Sequence, residues 1–354
     1  MAPIRLAAAS LTRAASIVRS PLRTSRRTSL AAPAAPALLW SAPRFSSTSS
    51  DPLIVVTDLP APGSGHIRIL ELNRPAARNA ISKALLAALR EQVDDVAQQY
   101  DDAGREVTGV IDAKSLGPTR ALVLASAVDS CFCAGADLKE RKTFTAEDTA
   151  RFLGSLRGTL TALQALPIPT IAAVSSLALG GGLELALATH MRVLTSNAVV
   201  ALPETRLGII PGAGGTYRLP MLIGMARARD LVLTGRRVSA PEAYFLGIAD
   251  RLVEVIPEPP AEEKEQSEQT EEDKQKAQLD LLDTARRAAL SEAVRLAEEI
   301  CEGGPIAIRA ALQAVQFPAE TVENKMYERV VATEDRNEAL KAFGEKRRPE
   351  FKGR

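Results

Sequence analysis

Between residues 52 and 256, short runs of branched and small apolar side chains take turns with apolar residues at helical spacing. A chain written this way buries both kinds of surface by laying helices against a sheet, so the alternation predicts an α/β fold. Residues 54–57 and 66–72 read as paired strands around a turn-rich 60–65 segment. In 82–99 the apolar residues fall at 85, 86, 89, 93 and 96, the stripe of a core-facing helix. A strand follows at 121–125. Leu153, Leu156, Leu160, Leu163 and Leu166 mark another helix, which Pro167 and Pro169 stop. Residues 170–174 form the next strand. Three glycines, 180–182, then open a short apolar helix at 183–188, and 191–194 and 199–202 are short strands. No internal repeat is visible in the residues.

Past Gly214 the pattern turns helical. Ser239-Ala-Pro-Glu242 reads as a capping box with proline in the first turn, and Gly247 suits the far end of that helix. Residues 101–119 are expected as a polar surface excursion. Residues 257–276 hold eight acids, three Lys and no aliphatic beyond Ala261, the composition of a solvated insertion rather than a site. Helices are expected to resume at 277–301, 305–315 and 319–342. The division is an α/β core over 52–256, an acidic insertion over 257–276 and a helical C-terminal region over 277–354.

The formal net charge of +1 hides an asymmetry. Residues 1–50 contain seven Arg and no acid. Removing these from the 44 Lys and Arg leaves 37 basic against 43 acidic side chains, a poor balance for a general polyanion binder. An Arg-, Ser- and Ala-rich, acid-free leader has the composition of an organelle transit peptide, expected over 1–46 with cleavage near Arg44-Phe45-Ser46. No apolar run reaches the length of a membrane span, so no stable membrane insertion is expected. With Cys131, Cys133, Cys301, His66 and His190 as the only cysteines and histidines, metal catalysis would lack material. Acid–base work is expected to fall to carboxylates.

Three segments carry the chemistry. Phe132-Cys-Ala-Gly-Ala-Asp-Leu-Lys-Glu140 follows a buried strand, and its small residues let backbone N–H groups approach a ligand. Ala178-Leu-Gly-Gly-Gly-Leu-Glu184 opens a helix whose free N–H groups suit an oxyanion. Leu202-Pro-Glu-Thr205 places a carboxylate at a strand end before the glycine-rich 207–215 turn. Singly, each has a bland explanation.

Together, in this order, with Leu72-Asn-Arg-Pro75, Arg78-Asn-Ala80 and the ending Phe343-Gly-Glu-Lys-Arg-Arg-Pro-Glu-Phe-Lys-Gly353, they resemble the enoyl-CoA hydratase/isomerase (crotonase) family over 52–354. Ala136–Arg141, Leu177–Leu187 and Phe343–Gly353 are most similar to its mitochondrial methylglutaconyl-CoA hydratase branch. The resemblance implies a spiral of strand–strand–helix units with a helical C-terminal region, assembled as a homotrimer or homohexamer in the mitochondrial matrix. It implies an oxyanion hole from the backbone N–H groups of Ala136 and Gly181, and an acid–base pair of Glu184 and Glu204. It further implies a CoA groove lined by Arg78, Ala80, Ala134, Ala136, Asp137, Leu138, Lys139 and Gly181, with Lys346 and Arg347 as contributors. The substrate would be an acyl-CoA thioester, 3-methylglutaconyl-CoA of leucine breakdown first and a general short-chain 2-enoyl-CoA second. No cofactor beyond the substrate's own CoA is implied. Isomerases of the family usually keep the carboxylate matching Glu204 and lack the one matching Glu184, so having both favours hydration.

Arg141 and Lys142 are candidates to meet a substrate carboxylate, or are surface charges. His190 stands where family members often carry Asp and reads as structural. That branch is also associated with binding AU-rich RNA through a Lys-rich helix. The matching segment here keeps Arg78, Lys83 and Arg90 among Ala and Leu, too thin a basic face to make RNA the expected main partner.

Overall fold

The computed structural model describes residues 51–101, 103–107, 116–256 and 271–354. The leader over 1–46, residues 108–115 of the polar excursion and residues 257–270 of the acidic insertion lie outside the described residues.

The chain opens with β1 (Ile54–Pro60) and β2 (His66–Leu72), antiparallel in register around the expected turn. Helix α1 (Lys83–Ala97) buries Leu85, Leu86, Leu89, Val93 and Val96, the five positions of its apolar stripe, and Ser82 caps it by accepting from Leu85 N–H.

Three turns of a spiral follow, each giving one strand to each of two sheets. The first holds β3 (Thr119–Ser126), β4 (Cys131–Cys133), the short α2 (Leu138–Arg141) and α3 (Ala146–Gln164). The second holds β5 (Thr170–Val174), β6 (Leu177–Leu179) and α4 (Gly181–Leu187). The third holds β7 (Met191–Thr195) and β8 (Val199–Ala201), then α5 (Gly215–Ile223) and α6 (Met225–Thr234). β9 (Val238–Ser239), α7 (Ala240–Leu246) and β10 (Arg251–Val253) close the core. The large sheet runs β1-β2-β3-β5-β7-β10 and the small one β4-β6-β8-β9. The repeat is therefore one of topology, which the residues do not spell.

The central strands β2, β3, β5 and β7 of the large sheet are parallel and buried on both faces, as such strands require. Leu70, Leu72, Leu122, Leu124, Ala172 and Val174 point to the main core. The alternate residues Ile69, Ala121, Val123, Ala125, Ile171 and Ala173 meet Ala289, Ala293, Leu296 and Ala297 of α8 (Glu271–Cys301). Alanines facing alanines let this helix lie close to the sheet.

Three boundaries differ from the sequence reading. Within the described residues α8 is already helical at Glu271, six residues inside the expected acidic insertion, and Glu271, Glu272 and Asp273 lie in its first described turn. After α9 (Pro305–Gln316), the single helix expected at 319–342 is two, α10 (Glu320–Val331) and α11 (Glu334–Glu345). Thr333 is extended and accepts from Arg336 N–H, so it starts a new helix. At α7 only half of the capping box forms. Ser239 caps Glu242 N–H, while the Glu242 carboxylate pairs with Arg236 at 2.7 Å.

The C-terminal tail is tied down by Asp335, which is 5% exposed and accepts from Lys352 N–H at 2.7 Å and Gly353 N–H at 2.8 Å. Asp335→Ala removes two charge-assisted bonds and is expected to cost about 2 kcal/mol in urea unfolding. An unchanged midpoint would show that the clamp contributes nothing.

Candidate active site

The parallel strands β4, β6 and β8 lie side by side in the small sheet, so their C-terminal ends form a row. Ligands of open α/β sheets gather at such ends. Beyond β4 come Ala134-Gly135-Ala136, beyond β6 Gly180 and α4, and beyond β8 Leu202-Pro203-Glu204.

Segment 78–81 runs along the first of these ends like a short added strand. Arg78 C=O accepts from Ala134 N–H, Ile81 N–H donates to Gly135 C=O, and Asp137 N–H donates to Ile81 C=O. That alternation uses the edges of residues 135 and 137 and turns the Ala136 N–H the other way. Gly135 has φ +94°, and a Cβ there would stand 2.7 Å from Leu179 C=O and 3.4 Å from Gly181 N. Only glycine brings the two backbones this close. Gly181 is the first residue of α4, where N–H groups have no partner one turn back. Among the described residues, neither the Ala136 nor the Gly181 N–H donates to a protein acceptor. They are neighbours, since a Cβ on Gly181 would lie 3.6 Å from Ala136 N.

Glu184 sits in the first turn of α4, a helix buried at every residue. Its Oε1 accepts from Ala213 N–H at 2.7 Å and Gly215 N–H at 2.8 Å. Burial pushes its carboxyl up, while these two donors and the Arg218 and Arg157 charges pull it down. Arg218 is buried, and its Nη1 donates to Ala213 C=O, so it braces the peptide that holds Glu184. Glu204 begins a one-turn 3-10 helix after β8. Gly180 leaves room for it, for a Cβ at 180 would come within 2.9 Å of its Oε1. The Glu204 Oε2 is buried and has no hydrogen-bond partner among the described residues. Burial, with the Glu184 charge adding and its own backbone N–H opposing, pushes this carboxyl up to about 7. One carboxyl is therefore held by two fixed donors, and the other is poised near neutrality.

These groups meet in a cleft of about 480 Å³. Ala134, Ala136, Leu138, Gly181, Glu184 and Glu204 of the expected site line it. Arg78, Ala80, Asp137 and Lys139 do not. Arg78 is exposed, with its carbonyl spent on Ala134. The Asp137 carboxylate caps α2 and pairs with Arg74 at 2.7 Å, which makes it a structural group. Arg141 reaches the cleft and Lys142 does not. In the tail, Arg347 is engaged by Glu338 and Glu345.

Asn79 was not singled out as a residue in its own right. It is fully buried at φ +55°, donates to Ser126 Oγ and Phe132 C=O, and accepts from Arg74 N–H, pinning the added strand to β3 and β4. Asparagine is among the few residues that tolerate a left-handed backbone, which was the available signal. Arg157 was missed too, although it lies four residues beyond Leu153 on a helix otherwise read for its leucines.

His190 accepts at Nδ1 from Thr170 N–H and donates from Nε2 to Gln164 C=O; burial lowers it to about 4. It is structural. Burial pushes the Cys131 and Cys133 thiols up, to about 11 and about 12, which keeps them from acting as thiolates. On α1, Lys83 lies over the Phe144 ring and Arg90 pairs with Asp94, which further thins the basic face considered for RNA. No described helix is long and apolar enough to cross a membrane.

Two backbone donors beside two carboxyls, at the ends of parallel strands in a doubly sheeted spiral, define an enzyme that can hold an enolate oxygen and move protons at the adjoining carbons. The enoyl-CoA hydratase/isomerase family profile matches residues 63–269, and the chain belongs to that family, whose members act on acyl-CoA thioesters. Over 314 residues it is 67% identical to Methylglutaconyl-CoA hydratase 1, mitochondrial, of Pyricularia oryzae, covering 86% of this chain and 88% of that one. It is 54% identical to an enoyl-CoA isomerase/hydratase of Zymoseptoria tritici, covering 89% and 92%. The crystal structure of an enoyl-CoA hydratase from Bacillus anthracis superposes with a TM-score of 0.67 at 35% identity, over 86% of this chain and 100% of that one.

Proposed function

We propose that the protein hydrates the 2,3 double bond of 3-methylglutaconyl-CoA in the mitochondrial matrix. The observation that carries the hydratase reading is the pair of unspent N–H groups at Ala136 and Gly181 beside Glu184 and Glu204. The thioester oxygen lies between the two N–H groups, which stabilise the negative charge that builds there as water adds. Glu184, ionised and held by Ala213 and Gly215, takes a proton from the water as its oxygen bonds to C3. Glu204, in its acid form, gives a proton to C2. The step leaves Glu184 protonated and Glu204 ionised, and a proton exchanged with solvent restores the pair. An isomerase needs one group to carry a proton between carbons, whereas two carboxyls of different character suit addition of water.

The 67% identity to the Pyricularia hydratase supports the acyl group and the compartment. The same reading takes the assembly to be a homotrimer or homohexamer. Met221, Met225 and Phe245 of the α5–α7 region and Phe343 of α11 support it, since each is more than 60% exposed in the single chain. The CoA groove runs from Ala134 and Leu138 outward, with Lys139 at its exposed edge.

Purified enzyme offered 3-methylglutaconyl-CoA, crotonyl-CoA and a long-chain enoyl-CoA should show its highest kcat/KM with the first. A preference for crotonyl-CoA overturns the acyl assignment, and no hydration of any of them overturns the reaction.

A further inference from the structure

Four charged side chains line the cleft, and the reaction uses only Glu184 and Glu204. The others are Arg141 and Arg157, and among the described residues neither has an ion-pair partner. The remaining wall near them is apolar, with Leu138, Phe152, Leu153, Leu156, Ile209 and Ile210. Arg157 is solvent-exposed, and an unpaired guanidinium at the open edge of such a wall is a ready partner for an anion. We propose that Arg157 is the subsite for a carboxylate at the far end of the acyl group, so that the enzyme selects mono-CoA thioesters of dicarboxylic acids. The inference rests on the hydratase reading of the same cleft.

Placement argues for Arg157 over Arg141. Its Nε donates to Gly212 C=O at 2.6 Å, which orients the guanidinium, and among the described residues both terminal nitrogens are without hydrogen-bond partners. Gly212 immediately precedes Ala213, whose N–H holds Glu184. The Arg157 charge is felt at the Glu184 carboxyl, pulling it down. In a glutaconyl thioester the carboxyl carbon is two C–C bonds of about 1.5 Å from C3, where water adds. A cation serving that carboxylate must therefore stand beside the group that activates the water. Two parallel N–H donors match a carboxylate edge to edge.

Glutaryl-CoA and butyryl-CoA differ in the terminal carboxylate and, lacking the double bond, do not turn over. Titration calorimetry should show the wild-type enzyme binding glutaryl-CoA at least tenfold more tightly. In Arg157→Gln that ratio should collapse to less than threefold, chiefly through weaker glutaryl-CoA binding, and Arg157→Lys should recover part of it. An absent preference in the wild type, a preference that survives Arg157→Gln, or an equal loss for both ligands overturns the proposal. So does a preference abolished by Arg141→Gln alone. If the preference depends on Arg157 while 3-methylglutaconyl-CoA is not hydrated, the subsite stands and the substrate reading falls.

Discussion

Replacing Glu204 with Gln is expected to lower kcat/KM for hydration by roughly a hundredfold or more, and Glu184→Gln by a similar factor, the usual contribution of a positioned acid or base. The two losses differ in kind. Glutamine at position 204 has the shape of the protonated acid and no acidic proton, so it fills the buried space without serving C2. The wild-type rate should fall as pH rises through about 7, where Glu204 loses the acid form that addition requires. That alkaline limb should vanish from the residual activity of Glu204→Gln. On the proposed mechanism Glu184 acts as the carboxylate, so its titration should shape the acid limb, and Glu184→Gln should remove that limb. Stability moves the same way. The Glu204 carboxyl is raised above its unfolded value, so the wild type loses stability as pH climbs toward and through about 7. The Glu204→Gln enzyme escapes that loss and should be the more stable of the two in alkaline urea melts. Loss of less than tenfold in rate for both variants, with the fold intact by circular dichroism, would remove the acid–base assignment.

Gly182→Ala is expected to be more damaging than either. A Cβ at 182 would stand 2.1 Å from Cys133 C=O and 2.8 Å from its carbonyl carbon. The clash is with backbone in a buried strand, so no side-chain rotation relieves it. Either α4 lifts off β4 or the strand bends, and Ala136, Gly181 and Glu184 lose their register together. The expected cost is about 3 kcal/mol, the upper end for overpacking, with hydration falling beyond what the lost stability explains. Gly208→Ala is a useful contrast, since a Cβ there meets nothing within 4 Å and the strain is confined to its positive φ. Equal soluble yields and equal activities for wild type and Gly182→Ala would show that the helix can move freely on the strand.

How far the residues announced this site differs from one part to the next. The five apolar positions of α1 were readable because burial on one face imposes a helical period, and all five are buried. The glycine turns were readable because a backbone that must approach a ligand tolerates little else. β4 and β6, three residues each, are too short to show a period, and they are the strands that bring the Ala136 and Gly181 N–H groups together. The first turns of α8 were read as part of the insertion because residues 271–276 are all polar and exposed, so no apolar period marks them. The roles of Asp137 and Arg157 depend on partners far along the chain, Arg74 and Gly212, which local reading does not supply.

The row of strand ends has a consequence for how such a protein can change. The unspent N–H at Ala136, the N–H and carboxyl on α4, and the carboxyl at Glu204 arrive on successive turns of the spiral, each delivered by its own strand of the small sheet. A side-chain exchange that fits its space at one tip leaves the hydrogen-bonded rungs of the others in place, unlike a Cβ at position 182. The carboxyl-bearing positions can thus be exchanged one at a time while the paired strands beneath them stay constant.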